Sequence, residues 1–258
     1  MDVYQYNRGA WDQACREGNR WSIPVSPEQI AAARGGEIDV VLTPLRPVPR
    51  DWFPEPFAGT DLLGLACGGG QQGPLFAAAG ARVTTLDASP AQLGQDRLVA
   101  EREGLDLRTV EGDMRDLPFD DASFDLVFFP VASLFVPDVL PVWREAARVL
   151  RPGGALLAGF VNPLYFLFDD AALAHGEMVV RYRIPYSDPR DCDPEQLAGL
   201  RERNEPLCFG HSLEDLIGGQ LAAGLQITAF VEDRWDGEEK ILDRHIATFM
   251  ATRAVKVR

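Results

Sequence analysis

The stretch "LACGGGQQGPLF", residues 65–76, constrains this chain more than any other. An apolar run leads into a glycine cluster, and a helix-like stretch follows. Gly68, Gly70 and Gly73 spell G-x-G-x-x-G, the pattern of a dinucleotide loop. Glycines placed after a first parallel strand let backbone approach a ligand closely. The following helix turns its free N–H groups toward the same point. A bare strand-to-helix turn does not need three consecutive glycines. The loop is thus expected to hold a nicotinamide dinucleotide or another adenine cofactor, with an empty tight turn as the alternative.

The rhythm downstream fits such a sheet. "DLLGLA", "RVTTL", "LRTVE", "FDLVFF" and "ALLAGFV" read as five short strands. Helices alternate with them: "QQGPLFAAAG", "SPAQLGQDRLVAEREG" with Ser89 as cap and Gly104 as stop, and "PDVLPVWREAARVL" halted by "RPGG". Strands alternating with helices imply parallel pairing and right-handed crossovers, hence a doubly wound α/β sheet. After a further helix at "SLEDLIGGQLAAG", "LQITAFVEDRW" and "HIATFMATRAV" read as two more strands. The segment 236–244 between them is too short for a helical crossover, so an antiparallel pair is expected.

Two regions fall outside this rhythm. Residues 1–59 read as a helical and proline-rich extension, and 162–211 as an aromatic-rich insertion after the fifth strand. In the first, "NRGAWDQACREG" suggests a helix capped by Asn7. "SPEQIAAARGG" suggests another, capped by Ser26 with Pro27 in its first turn. Trp52, Phe53 and Phe57 follow on a stiff proline-rich path and must pack, either in the core or along a ligand pocket. Residues 60–258 then form the sheet domain, and both irregular regions are expected to act as its lid. A chain of 258 residues suits one such domain with elaborations.

Composition narrows the partners. The net charge is −14 with no Lys/Arg cluster longer than a pair, which argues against a nucleic-acid partner. The most apolar stretch, Phe124 to Trp143, holds Asp125, Asp138 and the prolines 130, 137 and 141, so no spanning helix and no membrane partner are expected. No secretory signal is visible. Four cysteines without metal or disulfide spacing point to a reduced, cytoplasmic enzyme. The oligomeric state is not readable.

Asp87 narrows the cofactor. It ends the second strand about 20 residues beyond the loop, where a carboxylate can accept from both ribose hydroxyls of an adenosine. "LDASPAQ" supplies no arginine for a 2′-phosphate, and no G-K-[ST] follows the glycines. NAD and S-adenosylmethionine both remain at this point. The ordered set "LACGGG…LDAS…GDMRDLPFDDASFDLVFF…REAARVLRPGG" separates them. It resembles the class I S-adenosylmethionine-dependent methyltransferases, in particular the small-molecule, type 11 kind. The resemblance covers about residues 60 to 160, and the final strand pair fits in kind.

The resemblance implies a Rossmann-like seven-stranded sheet with an antiparallel last strand, S-adenosyl-L-methionine as cofactor, and methyl transfer to a small-molecule acceptor. It implies that Ala66, Gly68, Gly70 and Gln71 surround the methionine end. Asp87 would hold the ribose, and Ala88 would lie beside the adenine. Asp113 would accept from the adenine amino group, with Met114 against the ring and Phe129 and Pro130 near the reactive methyl. His211 and Tyr165 are the candidate catalytic residues. Surface or packed roles are the alternative for His211, and lid packing for Tyr165. One position departs from the pattern: Gly64 stands where the family loop usually carries an acid. Departures of this kind leave a non-catalytic cofactor-binding module as a rival reading, with an NAD oxidoreductase as a third. "FFPVASLF" lacks the Asn/Asp-Pro-Pro-aromatic motif that resembling enzymes use to grip nucleobase or glutamine amines.

Overall fold

In a strand, neighbouring side chains point to opposite faces, so an apolar strand buried on both faces serves two cores. β1 (Asp61–Leu65) does this: Leu63 and Leu65 enter one core, and Leu62 the other. In β4 (Phe124–Phe129), Val127 and Phe129 join the first core, and Leu126 and Phe128 the second. The computed structural model describes residues 2–236 and 241–257. Besides β1 and β4, its sheet contains β2 (Arg82–Asp87), β3 (Leu107–Glu111), β5 (Leu150–Val161), β8 (Leu225–Asp233) and β9 (Phe249–Lys256). The spatial order is β3-β2-β1-β4-β5-β9-β8. β1 to β5 are parallel, while β9 runs antiparallel to both β5 and β8. This is the expected doubly wound, Rossmann-like seven-stranded sheet with an antiparallel end.

On one face lie α3 (Gln72–Ala78) and α4 (Pro90–Glu103), with α2 (Pro27–Arg34) packed against α3. The other face is covered by α5 (Leu140–Val149) and α9 (Gly219–Ala222). Ser26 caps α2 as expected, with Pro27 in the first turn, and Gln29 completes a capping box. Trp52 is buried, and Phe53 and Phe57 pack on Phe76 of α3 at 6.0 and 5.9 Å between ring centroids. The proline-rich path therefore delivers its aromatics to the core, and none of the three borders the large cavity at the sheet's carboxyl edge.

Four local expectations need correction. α1 spans Val3–Arg16 and is capped by Asp2, whose carboxylate accepts from the Tyr4 and Gln5 N–H groups; Asn7 is an interior helical residue, not the cap. "RPGG" does not separate a helix from a strand, because β5 begins at Leu150. A register shift between Phe124 and Leu126 absorbs the extra residues. The helix expected over 212–224 opens into a wide turn at Glu214–Gly218. There the Trp143 indole N–H donates to the Asp215 carbonyl at 2.9 Å, diverting it from the helical ladder. β9 starts at Phe249 rather than 245. Residues Ile241–Arg244 make a tight turn, and the Leu242 carbonyl accepts from the N–H groups of His245 and Ile246. Of the connecting segment 236–244, residues 237–240 lie outside the described residues.

The insertion holds α6 (Asp170–Ala174), β6 (Tyr186–Ser187), α7 (Asp188–Asp191), α8 (Pro194–Glu202) and β7 (Phe209–Gly210), with β6 and β7 paired antiparallel. Among the described residues, no helix is long and apolar enough to cross a membrane.

Candidate active site

A cavity of about 1230 Å³ opens at the carboxyl ends of β1 to β5. That is where open α/β sheets bind ligands, beside the point at which strand order reverses. Each loop leaving a strand contributes: Ala66 to Gly68 after β1, Asp87 to Ser89 after β2, Gly112 to Arg115 after β3, and Pro130 to Ala132 after β4. α1 and the insertion close the opposite side. The volume exceeds that of a usual single-ligand pocket and has room for a cofactor and a second molecule.

The glycine loop owes its shape to left-handed backbone at Ala66, Gly68 and Gly70, with φ of 45°, 81° and 71°. Gly69 donates its N–H to Trp21 O at 3.1 Å, Val25 donates to Gly70 O at 2.8 Å, and the Gln71 side chain donates to the carbonyls of Arg20 and Ile23. Residues 20–25 thus clasp the loop from outside. The structure also gives a reason for Gly64. A Cβ there would lie 2.7 Å from Cys67 Sγ, so the buried thiol occupies the space that an acidic side chain would need. A carboxylate reaches the loop from α4 instead. Asp96, 2% exposed, accepts the Gly70 N–H at 2.8 Å and the Thr85 hydroxyl at 2.8 Å. Burial pushes its carboxyl up to about 7, against the pull of those two hydrogen bonds.

Asp87 lines the cavity, and its Oδ1 accepts the Ser89 N–H at 2.8 Å. Burial pushes it up to about 7 as well, with Asp12 adding to the rise. Ala88 lines the cavity, and its carbonyl accepts from Arg8 Nε at 3.1 Å. Arg8 also pairs with Glu111 at 2.7 Å, which ties α1 to the ends of β2 and β3. Asp113 is held by Arg115 through both carboxylate oxygens, and Met114 lies half-buried against the core. Eight of the ten expected cofactor residues line the cavity: Ala66, Gly68, Gln71, Asp87, Ala88, Asp113, Met114 and Pro130.

Gly70 and Phe129 do not line it. Gly70 sits behind the loop against Asp96, and Phe129 is fully buried edge-on to Trp143 at 5.5 Å. His211 is also elsewhere. It is buried with Nε2 3.0 Å from Ser133 O, burial lowers its pKa, and it does not border the cavity. Its position suits holding a loop rather than taking a proton from an acceptor. Tyr165 does line the cavity and donates its hydroxyl to Asp170 at 2.9 Å. Burial, and then Asp170, raise its pKa, so the phenol stays protonated at neutral pH.

Sequence reasoning missed Asp96, Arg8 and Tyr4, all at or beside the site. Asp96 carried a signal, since it stands three residues after Leu93 and three before Val99 on the buried stripe of α4. An acid on that stripe needs an internal partner.

Comparison with known proteins agrees with this geometry. A family model described as a methyltransferase domain matches residues 63–158. The chain is 51% identical over 253 residues to the uncharacterized methyltransferase YbaJ of Bacillus subtilis, covering 98% of both. An S-adenosylmethionine dependent methyltransferase from Mesorhizobium loti shares the fold with a TM-score of 0.63 at 23% identity, over 80% of this chain and 94% of that one. So does geranyl diphosphate C-methyltransferase from Streptomyces coelicolor, solved with S-adenosyl-L-homocysteine, with a TM-score of 0.55 at 18% identity, over 78% and 72% of the two chains. This chain belongs to the class I S-adenosylmethionine-dependent methyltransferases.

Proposed function

We propose that this enzyme methylates a small molecule held between the sheet edge and a lid made by α1 and the insertion. The observation that carries this reading is the continuity of one cavity from the glycine loop to the aromatic insertion. Its two ends suit two ligands.

The residues present fit the cofactor. Ala66 and Gly68 offer bare backbone for its methionine end, Asp87 a carboxylate for the ribose, and Met114 an apolar surface for the adenine, with Asp113 nearby for the amino group. Bound S-adenosylmethionine supplies an electrophilic methyl group. The chain's part is to align the acceptor behind that methyl and exclude water, effects that can carry much of such a transfer. Pro130, lining the cavity at the end of β4, would border the reacting atoms. No histidine needs to act: a base is required only when the acceptor must lose a proton first, and carboxylates on the cavity wall can then take it. A small molecule is favoured over nucleic acid by the net charge of −14 and the mainly acidic charged residues of the cavity wall. The Gly64 departure does not favour a catalytically silent module, since Asp96 supplies the loop with a carboxylate.

Thermal melts with S-adenosylhomocysteine, S-adenosylmethionine and NAD test the reading. The first two should raise the melting temperature, by stabilisation of about 2.7 kcal/mol at a hundredfold excess over Kd, and NAD should not. Asp87→Ala removes charged hydrogen bonds worth about 1.5–3 kcal/mol each, so cofactor affinity should fall ten- to a hundredfold in a folded protein. Absence of any shift at millimolar cofactor would refute the assignment of this cavity.

A further inference from the structure

The far end of the cavity has a consistent chemistry. Tyr165, Phe166, Tyr186 and Tyr182 form a continuous aromatic run, with ring centroids 5.5, 5.4 and 5.1 Å apart in that order, and all four line the cavity. Two of the hydroxyls are committed to carboxylates: Tyr165 donates to Asp170 at 2.9 Å, and Tyr186 to Asp188 at 2.8 Å. A phenol that donates to a carboxylate gains electron density in its ring, which strengthens its attraction for cations. This run already attracts one, since the Arg181 guanidinium lies 5.4 Å from the Tyr182 ring centroid.

Asp243 adds an independent sign. It is 1% exposed and lines the cavity. Its Oδ1 accepts the Thr248 hydroxyl, yet Oδ2 is buried with no hydrogen-bond partner among the described residues. An unsatisfied buried carboxylate oxygen is costly and calls for a partner. Asp243 is also close enough to Tyr165, as Asp170 is, to oppose ionisation of its phenol. The cavity's own cations are engaged elsewhere. Arg8 pairs with Glu111, Arg115 with Asp113, and Arg203 with Glu205.

We propose that the methyl acceptor is a small organic amine, protonated in solution, whose charged nitrogen docks among Asp243, Asp170 and the Tyr165 ring, all on the cavity wall. The ammonium gives one proton to a facing carboxylate; the freed nitrogen lone pair then forms the N–C bond to the methyl as the S–C bond breaks, its electrons leaving on sulfur as neutral S-adenosylhomocysteine, and the carboxylate returns the proton to solvent. This rests on the assignment of the cavity to a methyltransferase acceptor and adds its substrate class. A carboxylate or phosphate acceptor would meet acids, and the arginines that line the cavity among the described residues are each already paired with a carboxylate. A neutral acceptor would leave Asp243 unsatisfied.

Three probes of one shape test this on the full chain saturated with S-adenosylhomocysteine: choline, its neutral isostere 3,3-dimethyl-1-butanol, and the anion 3,3-dimethylbutyrate. Calorimetry should show choline binding at least tenfold tighter than the neutral isostere, with the anion weakest. Asp243→Asn should weaken choline about tenfold. Asp170→Asn, at an exposed carboxylate whose loss threatens folding less, should weaken it about threefold. Both variants should hold the demethylated cofactor within threefold of the parent. In turnover, small amines should accept methyl groups faster than phenols or carboxylic acids of similar size. Equal binding of choline and its isostere, tighter binding of the anion, or no binding of any probe to protein that holds the demethylated cofactor would each overturn the cation assignment and leave the methyltransferase reading standing. Failure to bind the demethylated cofactor at all would remove the cavity assignment itself, and this inference with it.

Discussion

The two walls of the cavity are built differently. The sheet wall, from Ala66 to Arg115, is shaped by backbone: left-handed residues, a clasp of main-chain hydrogen bonds and one buried carboxylate beneath the glycine loop. The lid wall is shaped by side chains reaching far along the sequence. Asn7 in α1 donates to the carbonyls of Phe135 and Leu207 and accepts from the Leu207 N–H, and Tyr6 donates to Glu205 O. Backbone geometry can be reused for one cofactor whatever the acceptor. Side-chain geometry is the kind that changes with the acceptor. On the function proposed above, the difference would put cofactor recognition on the sheet wall and acceptor choice on the lid.

The sharpest attempt to break this contrast compares one glycine from each wall. Gly70→Ala combines a φ of 71° with a Cβ 3.0 Å from Gln95 O and 3.1 Å from Pro24 Cα, both backbone atoms that cannot swing away. Left-handed strain of about 1–2 kcal/mol adds to overpacking of about 1–3 kcal/mol. The melting temperature should fall by several degrees or more, and calorimetry should show a hundredfold or greater loss of S-adenosylhomocysteine affinity. Gly176→Ala in the insertion has a φ of 80° but open space around the new Cβ. It should cost only about 1–2 kcal/mol of stability and leave cofactor affinity intact. Equal losses of affinity in the two would contradict the division.

Asp96 sharpens the comparison from within the sheet wall. Asp96→Ala strands the Gly70 N–H and the Thr85 hydroxyl, at about 1–3 kcal/mol for each group left unsatisfied. Cofactor affinity should fall ten- to thirtyfold. Asp96→Asn keeps an acceptor for Gly70 and offers Thr85 a donor, so affinity should return to within a few-fold. The sign with pH follows from a carboxyl raised to about 7 in the fold, above its unfolded value near 3.9. Between these values the native state binds more protons than the unfolded state. The Asp96 contribution to stability is therefore lost as pH rises from about 4 to about 7. Melts of Asp96→Asn against the parent should shift in the variant's favour across that interval and stay level above it. Asp87 has the same sign in the same window, so the variant keeps a residual slope.

On the lid wall, Asn7→Ala leaves buried groups of Phe135 and Leu207 without their side-chain partner. A stability loss of about 1–3 kcal/mol is expected in denaturant titration. Cofactor affinity should fall less than threefold, while acceptor affinity falls further. A greater loss for cofactor than for acceptor would reverse the roles of the two walls.

The same contrast governs what the amino-acid order reveals. The strand–glycine–helix unit, Asp87 at the end of β2 and the Ser26 capping box all act within a few residues, so local pattern exposes them. Asn7 resembles a cap because Asn is a good capping residue. Its real partners lie 128 and 200 residues away, which no local pattern encodes. Gly64 reads as a missing acid until the packing of Cys67 against it is seen. His211 reads as a base by its place before a cap, yet the fold turns it onto Ser133 O. The aromatic surplus of 162–211 is legible as a lid-like feature, but Asp243, the buried acid beside it on the cavity wall, comes from beyond the insertion and from a segment that reads as connection.

Arg8 should have the smallest effect, because it belongs to both walls yet sits at their wet edge. Its Nε donates to Ala88 O at 3.1 Å, and its pairing with Glu111 at 2.7 Å joins side chains that are 33% and 48% exposed. Pairs so open to solvent are worth about 0.2–1 kcal/mol, and salt weakens them. Arg8→Ala should lower the melting temperature by no more than a few degrees and weaken S-adenosylhomocysteine binding about threefold. It should also let α1 part from the end of β2 more often. Limited proteolysis can read this: cuts near the N-terminus should be faster in the variant, and bound S-adenosylhomocysteine should slow them in both proteins. In half-molar salt the parent should approach the variant's rate, since the ion pair is then screened. If Arg8→Ala instead costs as much as Asp96→Ala, a surface ion pair holds the site as firmly as the buried carboxylate does. Lid and sheet would then form one rigid cofactor cradle, and acceptor selectivity could not be assigned to the lid alone.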